Sequence, residues 1–326
     1  MKKHRRNNII KLLLLFIIIV CLFRIGESAY SSFMNQRQQE SLKKLKELGE
    51  QESTEKEEQE EKKETKDTGA AFATSEKESE ASSGNLYSVN NHAGLPEPNA
   101  KLSETAIGLF PVPVFSQYEK FEKEAEEMEE PVMLNKYAGL YEKNNDIVGW
   151  LSIEGTKIDY PVMRSEDDEF YLRRDFFGKS DRHGCLYVRN RADVDTPGTN
   201  FIIYGHNMKD GTMFRDLLLY EKESFFKKHP LVLFDTLYEE RTYEIVAVFF
   251  SQVYYTNEDV FKYYQFYEAK TQEEFDYFYE NIKALSLYDT GVTAEFGDTF
   301  LTLSTCAYHV QDGRFAVVAK KVADKE

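Results

Sequence analysis

Residues 299–322, with the sequence TFLTLSTCAYHVQDGRFAVVAKKV, constrain the fold most because they predict two adjacent antiparallel strands. The first half alternates β-branched or apolar residues with small polar ones up to Cys306, and the second half, from Arg314, is rich in Phe, Val and Ala. If the loop runs from Ala307 to Gly313, Cys306 and Arg314 lie opposite each other, with Cβ atoms roughly 4.5 to 5.5 Å apart. The sequence therefore predicts a thiol and a permanent cation in one site.

Such a pair points to nucleophilic chemistry. The thiolate is the reactive form of cysteine and a nearby positive charge favours it, while a guanidinium can also donate hydrogen bonds to a developing oxyanion. Proton transfer requires a third group. The best candidate is His206 in NFIIYGHNMKDG, where a short apolar strand from Phe201 to Tyr204 ends and a polar loop begins.

Three short motifs carry a family resemblance. The YGHN run with His206, the TLSTC run ending at Cys306 and the GRF run with Arg314 resemble, in this order, the signatures of the sortases, cysteine transpeptidases of the Gram-positive cell surface. The resemblance covers about the last two thirds of the chain. A long helix-bearing segment before the catalytic strand is more similar to class B than to class A sortases. The resemblance implies a mainly β fold, a closed antiparallel or mixed barrel with N-terminal helices and this helix-bearing insert.

The resemblance also implies a reaction. Cys306 would attack a backbone carbonyl in the C-terminal sorting motif of a secreted protein, and an amine of a cell-wall precursor or a pilin would resolve the thioacyl intermediate. His206 would protonate the leaving amine and later deprotonate the incoming one. Arg314 would stabilise the tetrahedral oxyanion and help to hold the substrate backbone. This mechanism needs no cofactor. The sequence near the site has no clear acidic cluster that would indicate a calcium ion.

Three further residues are candidates for contacts with the substrate. Ser304 and Thr305 precede the nucleophile directly, and Leu172 matches the family pattern before a DF pair. These assignments rest on position in the motifs alone.

The three cysteines leave two alternatives open. Cys21 lies in an apolar run, so a disulfide would join Cys185 to Cys306 and consume the proposed nucleophile. A zinc site could instead use His183 with Cys185 and Cys306 with His309, which are ligand types that zinc accepts. These spacings are short and common, and a zinc site would leave the YGHN and GRF motifs unexplained.

The N-terminus predicts a membrane anchor. A basic segment precedes an apolar run at residues 9–25, whose length is at the short end for a membrane-crossing helix. A cleaved signal peptide is the alternative, but Glu27 occupies the position three before a cut at Ala29. We expect a retained single-pass anchor with residues 1–8 in the cytoplasm and everything after it outside the cell.

Residues 26–108 are predicted to be a charged, low-complexity, disordered spacer. They are dominated by Glu, Lys, Gln, Ser and Thr, and such a composition cannot bury enough surface to offset the entropy of ordering. A coiled coil is the alternative, but only Leu42, Leu45 and Leu48 supply an apolar face. We expect the catalytic domain, residues 109–326, to fold without any upstream segment.

Within this domain the hydrophobic periodicity predicts strands with few long helices between them. Strands are predicted at Ile147–Ile153, Ile158–Met163, Cys185–Val188, Phe201–Tyr204, Leu231–Asp235 and Thr242–Val253. Helices are predicted around residues 118–128, 134–141, 213–220 and 224–229, and at Thr271–Leu285. This order favours a closed sheet over a doubly wound parallel one. The helix at Thr271–Leu285 either covers the core or walls one side of a substrate groove, and both roles are compatible.

The net charge limits the classes of function that this chain can have. A net charge of −16 argues against nucleic-acid binding, which depends on an excess of Lys and Arg. Two alternatives to a transpeptidase stay open: a secreted cysteine protease that releases the acyl group to water, and a non-enzymatic surface module in which Cys306 is merely buried.

Overall fold

The computed structural model describes residues 2–70 and 131–323, with side chains at 13–55 and 131–323. Among the described residues, those up to Lys56 and those from Val132 onward belong to one compact unit. The α-helices are α1 (Lys2–Ala70), α2 (Asn135–Tyr141), α3 (Glu223–Phe226) and α4 (Gln272–Leu285). Short 3-10 helices occupy Phe170–Arg173, Phe214–Glu221 and Tyr263–Gln265. The strands are β1 (Ile147–Ser152), β2 (Asp159–Arg164), β3 (Leu186–Val188), β4 (Asn200–Gly205), β5 (Leu231–Thr236), β6 (Thr242–Gln252), β7 (Phe300–Cys306) and β8 (Gly313–Lys321).

The eight strands close into a barrel in the order β1-β2-β3-β4-β7-β8-β6-β5. The β2–β3 and β4–β7 pairs are parallel, and the other pairs are antiparallel. The predicted closed mixed barrel is therefore confirmed, and each predicted strand matches an observed one within two residues at either end.

Strand β7 is buried on both of its faces. Leu301 and Leu303 point into the barrel core, whereas Phe300 joins an outer cluster that contains Phe275 and Phe278 of α4. Side chains alternate across a strand, so one face fills the barrel and the other is covered by the helix. The end of β7 is thus held from both sides, which fixes the position of the residues that follow it.

Helix α4 begins where its sequence predicts. The Thr271 hydroxyl accepts a hydrogen bond from the Glu274 backbone N–H at 3.3 Å and so caps the helix. Phe275, Phe278 and Ile282 are buried against the barrel, whereas Leu285 is largely exposed. The predicted role of this helix as a core cover is confirmed.

The N-terminal part of the predicted spacer is ordered. Residues 26–56 belong to α1, and Leu42 is only 2% exposed, in a cluster with Tyr137 and Trp150. The expectation that nothing upstream of the domain contributes to its core is therefore wrong for Leu42. Leu45 packs against the same cluster, and Lys43 of the same helix forms an ion pair with Asp159 at 2.9 Å.

The described residues include only some of the segments to which the other N-terminal predictions apply. Within the described residues, one helical stretch, Leu13–Glu55, is long and apolar enough to cross a membrane by length and composition. The predicted helix around 118–128 and the predicted boundary after residue 108 lie outside the described residues.

Candidate active site

The β7–β8 hairpin places Cys306 and Arg314 in register. The two residues are direct partners in the antiparallel ladder, as expected. The loop is one residue shorter than predicted, because Gly313 already belongs to β8. A Cβ at Gly313 would lie 2.2 Å from the Ala307 carbonyl oxygen, so only glycine permits this close approach.

The parallel pairing of β4 with β7 brings His206 to the same edge of the barrel. Gly205 pairs with Thr305, so His206 and Cys306 each follow the last pair of their strands. Neighbouring strands lie roughly 4.8 Å apart. The Thr305 hydroxyl donates to the Gly205 carbonyl at 2.7 Å and ties the two strand ends together. The predicted thiol, imidazole and guanidinium residues thus leave three adjacent strands at one place.

A backbone carbonyl sets the tautomer of His206. Its Nε2 lies 2.7 Å from the Leu172 carbonyl oxygen. Because a carbonyl can only accept, Nε2 carries the proton and Nδ1 of the neutral ring has a free lone pair. Burial lowers the pKa of His206, the bond to Leu172 opposes this, and the positive charge of Arg173 lowers the pKa further. The net result is a pKa below the usual value and a neutral imidazole at neutral pH.

Asn207 links the loop after His206 to Cys306, a contact that the sequence reasoning missed. Its side-chain Nδ2 donates to the Cys306 carbonyl at 2.9 Å, and its Oδ1 accepts from Arg215 Nη1 at 3.2 Å. The side chain is buried. The only sequence signal was its place directly after His206 in the YGHN run.

The guanidinium of Arg314 is not neutralised by a neighbouring carboxylate. Its Nη1 donates to the backbone carbonyls of Asp312 at 3.2 Å and Gly313 at 3.0 Å. Across residues 13–55 and 131–323, no ion pair within 4.0 Å involves this side chain. Its charge is therefore free to act on a substrate or a thiolate at the mouth of the hairpin.

The proposed substrate contacts of Ser304 and Thr305 do not fit their environment. Both residues are buried, and the Ser304 hydroxyl is hydrogen bonded to the Tyr263 hydroxyl at 2.8 Å. The Thr305 hydroxyl is occupied by Gly205, as described above. They support the strand behind the nucleophile because their hydroxyls point at protein partners. Leu172 is half-buried next to His206. Its carbonyl oxygen accepts the hydrogen bond from His206, and its side chain is still accessible to a substrate.

A buried polar cluster connects the histidine loop to α1. His183 is fully buried, with Nδ1 2.6 Å from Asp181 and Nε2 2.8 Å from Asp210. Asp210 also accepts from the Ser32 hydroxyl of α1 at 2.6 Å, and Asp181 accepts from Asn35 of α1 at 3.3 Å. The loop that follows His206 is therefore held by the helix as well as by the barrel.

The structure does not assemble the alternative zinc or disulfide sites. All three cysteines are free, and the buried Cys185 donates to the Arg174 carbonyl at 3.4 Å. Burial raises the pKa of the Cys185 thiol well above its usual value, which makes it a poor metal ligand. His183 already has a carboxylate on each ring nitrogen. Among the residues described, no three His, Cys, Asp or Glu side chains are placed to hold a metal ion.

Comparisons with known proteins agree with this geometry. The sequence model of the sortase domain family matches residues 151–322. Sortase B of Listeria monocytogenes is 35% identical over 185 residues, which cover 56% of this chain and 72% of that protein. Sortase B of Staphylococcus aureus is 32% identical over 187 residues, which cover 57% and 74%.

Solved structures give the same result. A crystal structure of sortase B from B. anthracis in complex with AAEK1 aligns with a TM-score of 0.53 at 33% identity and covers 65% of this chain and all of the other. A Staphylococcus aureus sortase B–substrate complex aligns with a TM-score of 0.53 at 27% identity, covering 64% and 93%. The chain therefore belongs to the sortase family of cysteine transpeptidases and is most like its class B members.

Proposed function

We propose that Cys306, His206 and Arg314 are the catalytic residues of a transpeptidase that cleaves a sorting motif in secreted proteins and transfers the acyl group to a cell-wall or pilin amine. The observation that carries this proposal is the convergence of three strand ends. Cys306 faces Arg314 across β7 and β8, and His206 follows β4 beside it.

The environment of His206 supports the direction of proton transfer. Its Nδ1 accepts the thiol proton as Cys306 Sγ attacks the substrate carbonyl carbon. The Arg314 guanidinium donates to the oxyanion that forms. When the C–N bond breaks, the proton passes from His206 to the leaving amine, and a thioester stays on Cys306. The incoming amine attacks this thioester, loses a proton to His206, and the expelled sulfur recovers that proton.

The anchor proposal concerns residues 9–25. Their described side chains, Leu13–Ile25, are almost all exposed and apolar, and a basic segment precedes them. Exposed apolar side chains on a helix favour burial in a bilayer. The positive-inside tendency then puts the N-terminus in the cytoplasm and the barrel outside the cell.

The segment Tyr254–Lys270 is proposed to select the substrate. It lies between β6 and α4, and its Tyr263 hydroxyl contacts Ser304, two residues before Cys306. A wall so close to the nucleophile can shape side-chain pockets without changing the catalytic groups. Exchange of this segment with that of another class B enzyme, with the buried positions of α4 retained, should change which peptide is cleaved. A chimera that folds and turns over with the original preference would limit the segment to a structural role.

The test of catalysis uses a peptide library of sorting-motif variants, with and without triglycine as acceptor. Wild-type protein should give a peptide–triglycine product, and its intact mass should show an acyl adduct that hydroxylamine removes. Cys306→Ala should abolish both signals. Cys185→Ser is the matched control, because serine keeps the donor to Arg174 and should retain turnover. Turnover by Cys306→Ala would refute the assignment, and a product formed only with water would instead indicate a protease.

A further inference from the structure

The contacts of α1 define where the barrel lies along the anchor helix. Gly49 lies against α2, and towards the N-terminus Ser32 contacts Asp210 and Ser28 contacts Arg182. The barrel therefore packs along α1 as far as the end of the exposed apolar run of this helix, Leu13–Ile25.

A groove of about 740 Å³ lies at this junction. Ile25, the last residue of the apolar run, lines it on the helix side. On the barrel side it is lined by Met208 and Lys209 of the histidine loop and by Tyr308 of the β7–β8 loop. The two loops that carry the proposed catalytic residues therefore lie beside the end of the apolar run.

The dimensions match the headgroup layer of a bilayer. That layer is roughly 5 to 8 Å deep on each side of the hydrocarbon core. An α-helix rises 1.5 Å per residue, so Ser32 lies about 10 Å beyond Ile25 along the axis. Tyr308 shares the groove with Ile25 and with Ser32, so the groove extends from the end of the apolar run across the depth of the headgroup layer when Ile25 ends the hydrocarbon span.

The side chains have the chemistry of such a layer. Tyr308 is 77% exposed, which alone is ordinary for a loop residue but is typical of an aromatic ring at a membrane interface when it lies beside an anchor. Lys209 is exposed and, among the described residues, has no ion-pair partner. Its ammonium group can therefore attract an anionic headgroup.

We propose that Met208, Lys209 and Tyr308, which we call the membrane-facing surface, contact the lipid headgroups of the bilayer that holds α1, with an anionic headgroup beside Lys209. This inference rests on the proposed anchor. It implies that the proposed catalytic site opens at the membrane surface, because Tyr308 and Met208 each lie two residues beyond a proposed catalytic residue. A substrate is then attacked within the headgroup layer and not in bulk solvent.

The test places a tryptophan on the surface of the full chain in vesicles. Tyr308→Trp is compared with wild type in phosphatidylcholine and phosphatidylglycerol vesicles whose acyl chains carry bromine near the headgroup, with the emission of the buried Trp150 as background. We expect the added emission to be quenched. The control is Tyr277→Trp on α4. Tyr277 is 57% exposed and lines a separate groove with Phe261 and Phe266 that has no α1 residue in its lining, so the emission of this tryptophan should be unaffected. Equal quenching of both tryptophans, or quenching of neither, would refute the contact of the membrane-facing surface with the bilayer.

Two further experiments test the anionic contact of Lys209 and the membrane anchor separately. Lys209→Glu in the Tyr308→Trp chain should weaken quenching in vesicles with phosphatidylglycerol and leave it unchanged in pure phosphatidylcholine. Quenching that ignores both this substitution and lipid charge would refute the anionic contact. Alkaline carbonate extraction tests the anchor itself. Extraction of the wild-type chain would overturn the anchor and this inference together, whereas an anchored chain with an unquenched Tyr308→Trp would overturn this inference alone.

Discussion

Leu42→Ala measures how firmly α1 is docked on the barrel. Leu42 is 2% exposed among Tyr137, Leu140 and Trp150, whereas Leu48 of the same helix is 54% exposed. Truncation of a buried leucine costs about 2 to 5 kcal/mol. The loss here cannot exceed the docking free energy of the helix, because undocking removes the cavity, so we expect the low end, about 2 kcal/mol. The matched Leu48→Ala should cost less than about 0.5 kcal/mol.

The assay is urea unfolding of a chain that begins at Glu27 and lacks the apolar run. Trp150 is the only tryptophan and lies under α1, with Lys46 Nζ 5.2 Å from its ring, so its fluorescence reports docking. With a urea dependence of roughly 1 to 3 kcal/mol per molar, 2 kcal/mol corresponds to a midpoint shift of about 1 M. Circular dichroism follows the barrel independently. Equal midpoints for Leu42→Ala and Leu48→Ala would show that the helix is undocked in solution and refute the reasoning.

Three further predictions concern the site. Asn207→Asp replaces the donor to the Cys306 carbonyl by a carboxylate oxygen, so kcat/KM should fall about 5-fold or more for a cost of about 1 to 3 kcal/mol, and wild-type kcat/KM would exclude a positioning role. The acid limb of kcat/KM should have its midpoint below pH 6.5, because the lowered pKa keeps His206 neutral there, and Arg173→Gln should move it upward; a limb above pH 6.5 would contradict this. Arg314→Lys should lose most activity in the peptide assay, because lysine keeps the charge but not the forked donors, and near-normal turnover would reduce Arg314 to an electrostatic role.

The hairpin could be predicted from sequence because its information is local. Alternation up to Cys306 and the apolar run after Arg314 determine both strands, and a short loop fixes their register. Gly313 tightened the loop by one residue for a steric reason that no periodicity shows. The pairing of β4 with β7 joins residues about a hundred positions apart, so no local pattern predicts this pair or its parallel direction.

Docking of α1 could not be read from composition. The helix buries Leu42 fully and Leu45 in part, and further contacts are polar, such as Asn35 with Asp181 and Lys43 with Asp159. A charged segment with so few apolar residues has the composition of a disordered spacer. Only the partner surface decides between the two states, and that surface is assembled from residues that are distant from α1 in the sequence.

The pKa values of two histidines near the site are shifted in opposite directions, and the cause lies in the acceptors of their ring nitrogens. Burial opposes protonation of both rings. In His183 the carboxylates of Asp181 and Asp210 outweigh burial and raise its pKa, which favours the imidazolium form. His206 has only the neutral Leu172 carbonyl as acceptor, and the positive charges of Arg173 and His183 add to the effect of burial. His183 thus holds the loop that follows His206 through Asp210. Its positive charge, when protonated, also lowers the pKa of His206 and favours the neutral form that the proposed role of His206 as general base requires.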